Sequence, residues 1–206
     1  MYPVAFEADF VEKRSRLSTF FRPLLVIPWV FVSIFWSIGA FVCVVLAWFA
    51  IVATGSYPRG LYDFVGKALR FTTRVNGFYY LMTDRFPSFG GEEGSDYPVR
   101  LVIPAPQERY SRWKTGLRII IAIPVMIVVY LMGLLVGIVG FLSWIVIVII
   151  GRDPQGLFDV MRLGLAYMSR ANAYFLLVTE TYPPFSEDEG ATASPAAPIP
   201  PAPPAV

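Results

Sequence analysis

The chain has 206 residues, of which 56% are hydrophobic and 16% charged, with a mean hydropathy of +0.58 and a formal net charge of +2. A soluble globular domain is nearer a quarter charged, so this composition predicts a membrane protein, and the near balance of charge excludes nucleic-acid binding through bulk basicity. There is no histidine and a single cysteine, Cys43. His-based catalysis, His- or Cys-ligated metals and an intrachain disulfide are therefore excluded, and neither a cofactor nor an enzymatic activity is expected.

The chain is an internal duplication. Tyr2-Pro3-Val4 returns as Tyr97-Pro98-Val99, and a shift of 96 carries Arg22 to Arg118, Trp48 to Trp144, Gly55 to Gly151, Pro58 to Pro154, Asp63 to Asp159, Arg74 to Arg170 and Asn76 to Asn172. A repeat of this length defines the structural unit. The expected units are residues 1–95 and 96–190, followed by a Pro/Ala-rich tail, 191–206, with the composition of disordered chain.

Each copy opens on a strand-like segment, 4–10 and 99–103, with apolar and polar residues alternating. The two segments are expected to pair, and a lone pair needs a surface to lie on. Glu7, Asp9 and Glu12 stand where a signal peptide would carry positive charge, so the first apolar run is expected to remain in the mature chain. A basic lead-in follows: Arg14, Arg16 and Arg22, matched by Arg112, Lys114 and Arg118.

Then come two uncharged apolar runs, 23–54 and 119–151. A straight helix of that length is about 48 Å long, against a hydrocarbon core of about 30 Å. All 17 Lys and Arg lie outside the runs. A membrane hairpin in each run, turning near Gly39-Ala40 and Gly133–Gly137, puts every basic residue on one face, which the positive-inside rule makes cytoplasmic. One long crossing per run is the alternative. The hairpin reading makes the copies parallel and leaves both termini in the cytoplasm. Gly133-x3-Gly137 also fits a helix-packing motif.

After Tyr57-Pro58, Leu61, Phe64, Val65, Ala68, Leu69, Val75, Phe78 and Met82 fall at helical spacing, with Asp63, Lys67, Arg70 and Arg74 opposite. Copy two repeats this with Leu157, Val160, Met161, Leu165 and Met168 against Asp159, Arg162 and Arg170. Such a stretch predicts an amphipathic helix in the headgroup plane. The acidic run Glu187-Asp188-Glu189 reads as solvated. The expected fold class is thus an α-helical integral membrane protein of two tandem repeats, each a short strand, a membrane hairpin and an interfacial helix.

The matched elements include Arg22 before Ile27-Pro28, Gly55-x2-Pro58-x-Gly60-Leu61-Tyr62-Asp63, Arg74-x-Asn76 and Thr83-Asp84-x-Phe86-Pro87, with their counterparts in copy two. This set resembles a family of bacterial, mainly actinobacterial, integral-membrane proteins known only as a domain of unknown function. The resemblance spans both repeats and implies a plasma-membrane location but no activity. Family members often carry His after the Ile-Pro, where this chain has Trp29 and Val125.

The repeated polar set Arg22, Asp63, Arg74, Asn76, Arg118, Asp159, Arg170 and Asn172 has two readings. One is a pair of sites for anionic lipid headgroups, with arginines on phosphate. The other is that Arg22 and Asp63, with their counterparts, pin the amphipathic helix to the membrane legs. Trp29, Trp36, Trp48, Trp113 and Trp144 read as an interface belt or helix packing. No acidic or basic residue lies inside either run, as a coupled transporter would require. The expected function is a non-catalytic membrane scaffold that binds lipid or a membrane-protein partner. The alternative is a small parallel-repeat permease or an accessory subunit of a larger complex.

Overall fold

A run with no charged and few polar side chains is poorly equipped to satisfy the backbone groups that a sharp bend would free, and both apolar runs are helical over nearly their whole length. The computed structural model describes residues 2–88, 90–91 and 96–184. In it α1 (Arg16–Leu25) leads into α2 (Ile27–Thr54), and α4 (Arg112–Gly116) leads into α5 (Arg118–Ile150). With 28 and 33 residues, α2 and α5 are about 42 and 50 Å long. The hairpin expected inside each run is not formed, and Gly39, Gly133 and Gly137 are ordinary helical positions. A side chain at Gly133 or Gly137 would meet no neighbour, so the Gly-x3-Gly pair packs against no other helix among the described residues.

The helices stop at Gly55 and Gly151, where the backbone turns left-handed with φ of 78° and 77°. Each glycine N–H bonds the carbonyl four residues back, on Ile51 or Ile147, at 2.7 Å. Prolines 58 and 154 then open α3 (Arg59–Tyr79) and α6 (Gln155–Phe175). These helices do not lie free in a headgroup plane, as expected from their pattern. They turn back and pack along α2 and α5. Trp36 of α2 meets Phe64 and Phe71 of α3 with ring centroids 5.1 and 6.0 Å apart. Each copy is therefore a helical hairpin after all, with the whole apolar run as one leg and the amphipathic helix as the other. The polar turn that the run lacks is supplied by residues 55–58.

The long helices of the two copies run antiparallel to each other. The Arg14 N–H donates to the Gly151 carbonyl at 3.1 Å, so the approach to α1 meets the end of α5. The Tyr110 N–H donates to the Gly55 carbonyl at 2.9 Å, so the approach to α4 meets the end of α2. The indole of Trp144 donates to Thr19 and that of Trp48 to Thr115, each at 2.9 Å, as twofold-related partners should.

The two strands pair as expected, β1 (Ala5–Ala8) antiparallel to β2 (Val99–Val102), with Phe6 opposite Leu101 and Glu7 opposite Arg100. Their resting surface is α3 and α6. A Cβ at Gly77 would collide with Val99, so the missing side chain lets the ribbon sit down on α3. Tyr62 donates its hydroxyl to the Pro104 carbonyl at 2.7 Å. At about 100° per residue, Tyr62, Gly66 and Gly77 lie on the opposite side of α3 from Phe64, Phe71 and Phe78, which face α2. The molecule is thus a three-layer slab: the ribbon, then α3 and α6, then α2 and α5. The buried core lies between these layers, with Val65, Phe71, Phe78, Phe158, Met161 and Ile147 at its centre.

Candidate functional site

The bottom layer of the slab is unpartnered. Phe31, Phe35, Ile38, Phe41 and Phe49 on α2 are each more than half exposed, as are Ile119, Ile127, Tyr130, Ile138 and Phe141 on α5. Only 11% and 17% of the most apolar stretch of each helix is buried. Core helices of a soluble protein would be mostly buried, and exposed apolar patches beyond a few hundred Å² mark interaction surfaces. Among the described residues, two helices are long and apolar enough to cross a membrane. On the other side, Arg100 holds Glu7 at 3.1 Å and Asp9 at 3.2 Å on the ribbon.

At either end of the slab, an arginine closes a helix. Arg22 is 2% exposed. Its guanidinium donates to the carbonyls of Phe78 and Thr83 at 2.7 and 2.6 Å, pairs with Asp84, and lies 4.4 Å from the Phe78 ring centre. Arg118 repeats this on the carbonyls of Tyr174 and Thr179, with its guanidinium 3.6 Å from the Tyr174 ring centre. The carbonyls at a helix C-terminus are orphaned and carry the negative end of the dipole, so a buried cation is well placed there. The turn that follows uses Leu81 and Leu177 in the left-handed region, φ 64° and 62°, with Met82 bonding back to Gly77 and Val178 to Ala173. A leucine costs about 1–2 kcal/mol there relative to the relaxed backbone, and both leucines are buried in return. Burial pulls the Arg22 guanidinium below its ordinary pKa, and Asp84 opposes the shift.

The other sequence candidates separate into two groups. Arg74, buried, donates to the Gly90 carbonyl at 2.7 Å and to Ser88 at 3.2 Å. It shares with Arg22 the neighbourhood of Tyr97. Arg170, also buried, shares with Arg118 the neighbourhood of Tyr2, whose hydroxyl donates to the Arg170 carbonyl at 3.1 Å. Asp63 and Asp159 are exposed and belong to the opening half of their helices, so Arg22 is paired with Asp84 and not with Asp63. The pinning of the amphipathic helix is real, but its agents are carbonyls and Asp84. Asn76 and Asn172 are half-buried, and Asn76 borders the groove between α2 and α3. The acidic run 187–189 and the tail lie outside the described residues.

Sequence reasoning missed three groups. Tyr2 and Tyr97 served only as markers of the repeat, yet they link the ribbon to the arginine ends, and burial raises both phenols. Asp84 and Glu180 accept the N–H of Ser15 and Ser111 at 3.0 and 2.6 Å, which ties each helix end to the start of α1 or α4. Their Thr-(Asp/Glu) repetition was the available signal. Arg14 and Asp153 form a buried pair at 3.8 Å and do not repeat at all.

No metal-ligating cluster is present among the described residues. The arrangement caps helices and presents an apolar face. No curated protein and no solved structure matches the chain. A family model described as a domain of unknown function, DUF4389, matches twice, over residues 16–90 and 112–187. The chain belongs to this family and carries its domain as a tandem repeat.

Proposed function

We propose that the protein is a non-catalytic membrane scaffold that lies in the plane of one leaflet. The faces of α2 and α5 sink into the acyl chains and the ribbon faces the cytoplasm. The observation that carries this reading is the layering. The apolar surface runs the full length of both long helices, and charge runs the full length of the opposite side. In a transbilayer orientation Glu7, Arg100 and Lys67 would lie near mid-depth. A charge at the bilayer centre costs about 3 kcal/mol. In the leaflet plane those residues stay wet and the same apolar face is buried. The exposed basic residues Arg16, Arg59, Arg112, Lys114 and Arg152 then sit at headgroup level, where they favour anionic lipid.

The test is a depth profile. In a Cys43→Ala background, nitroxides at positions 31, 38 and 49 report immersion through collisions with oxygen and with a water-soluble nickel complex. These positions share one face of α2. An in-plane helix gives three similar depths. A spanning helix places position 38 deepest, with 31 and 49 about 10 Å shallower, and that outcome would sink the proposal.

A further inference from the structure

The exposed apolar face of each long helix has a measurable width. At about 100° per residue, that of α2 spans an arc of about 160°, from Val30 at one edge to Leu46 at the other. Ala40, Ala47 and Ile51 are buried on the opposite side, in one cluster with Val65, Ala68 and Leu69 of α3. Between Met126 and Leu142 the exposed arc of α5 is about 180° wide. Val136 and Val139 are buried opposite it, against Met161 and Leu165 of α6. Each long helix thus offers about half its circumference to an apolar medium, on the side away from its partner helix.

That width sets how far the slab sinks. A helix with its side chains is about 10–12 Å across, so wetting half its circumference with acyl chains lowers it by about 5–6 Å. The hydrocarbon of one leaflet is about 15 Å deep, so the helices enter roughly its outer third. The next layer opposes deeper immersion. Asp63 and Lys67 are exposed on the flank of α3, between the side that meets α2 and the side that meets the ribbon, and Asp159 is exposed on α6. Sinking the slab by another layer would carry these charges into the acyl chains.

We propose that the protein is a one-leaflet wedge that binds convex membrane in preference to flat membrane of the same lipids. This rests on the in-plane reading above and adds membrane shape to what is recognised. A body confined to the outer third of a leaflet spreads the lipids there and leaves those below in place. A convex leaflet has its headgroups already spread, so it admits the same body with less disturbance. The wedge is long, because α2 and α5 extend over about 42 and 50 Å. Charge attraction alone follows lipid composition, so a preference between vesicles of one composition separates the two effects.

The test transfers the full chain from dilute detergent to a mixture of small and large vesicles, both of equal phosphatidylcholine and phosphatidylglycerol content. The small vesicles are about 30 nm across, the large ones about 200 nm, and each size carries its own dye. Protein per unit of outer-leaflet lipid is read after the two sizes are separated. The small vesicles should be loaded about threefold or more above the large ones. Nitroxides at positions 31, 38 and 49 in the Cys43→Ala background give the depth profile on both sizes. Three similar depths with preferential loading of the small vesicles support the wedge. Three similar depths with equal loading overturn the wedge and leave the in-plane reading standing. A profile deepest at position 38, or no binding to either size, overturns the in-plane reading and the wedge with it.

Discussion

Replacing the buried pair at one end of the slab by the residues of the other end should remove a pH dependence. Asp153 is 1% exposed, and neither carboxylate oxygen has a hydrogen-bond donor among the described residues. Arg14 lies 3.8 Å away and spends its Nη2 on the Met82 carbonyl at 2.7 Å. Burial pushes the Asp153 carboxyl up from 3.8 to about 6, against the pull of Arg14, while nearby Asp84 adds to the rise. The folded chain thus binds this proton more tightly than the unfolded chain does. The favourable contribution is complete below pH 3.8, declines as the pH rises, and is gone above about pH 6. At 1.36 kcal/mol per unit the decline amounts to about 3 kcal/mol, a large share of a typical stability. Asp153→Asn should flatten thermal midpoints measured in phospholipid micelles between pH 3.5 and 7.5. Arg14→Tyr alone leaves the carboxylate without the cation beside it and should cost about 3–5 kcal/mol above pH 6. The twofold-related positions are Tyr110 and Tyr57, whose rings meet at 5.8 Å. Arg14→Tyr with Asp153→Tyr rebuilds that aromatic contact and should recover most of the loss. A slope that persists in Asp153→Asn, or a double variant as unstable as the single, refutes the reasoning.

Arg22→Gln and Arg118→Gln should each lower stability by about 2–4 kcal/mol, because each strips donors from two buried carbonyls; chemical denaturation in micelles reads both, and a loss under 0.5 kcal/mol from either would contradict the capping role. Gly164→Ala puts a methyl into the side chain of Val136, and overpacking of this kind costs about 1–3 kcal/mol. The equivalent residues in copy one are Ala40 and Ala68, so adding Val136→Ala should restore stability; a thermal melt of the single and double variants decides it, and no recovery in the double variant argues against equivalent packing.

Several elements were open to reading because their signals are local. Pro58 and Pro154 mark the starts of α3 and α6, and the three–four spacing of Leu61, Phe64, Val65, Ala68 and Leu69 shows a helix that continues to Tyr79. The alternation around Phe6 and Leu101 is enough to place two paired strands. What escaped depends on docking. Length arithmetic compares a helix with the bilayer thickness only if the helix stands upright, and counting charges at the two ends of a run cannot tell which segment makes the return. Searching for repeated polar residues also hides those that diverged. Arg14 and Asp153 face Tyr110 and Tyr57 under the 96-residue shift, so a buried carboxylate without a hydrogen-bond donor among the described residues lay outside the pattern being sought.

The ribbon has a consequence for the duplication itself. β1 and β2 each precede their own copy of the domain, outside residues 16–90 and 112–187. Each strand finds its ladder only across the twofold. A half-molecule carries a single strand whose inner edge has nothing to bond, and an open edge seeks another chain. The tandem chain is in this sense a dimer whose subunits were joined by translation. Two halves made separately would have to meet for either to close its edge.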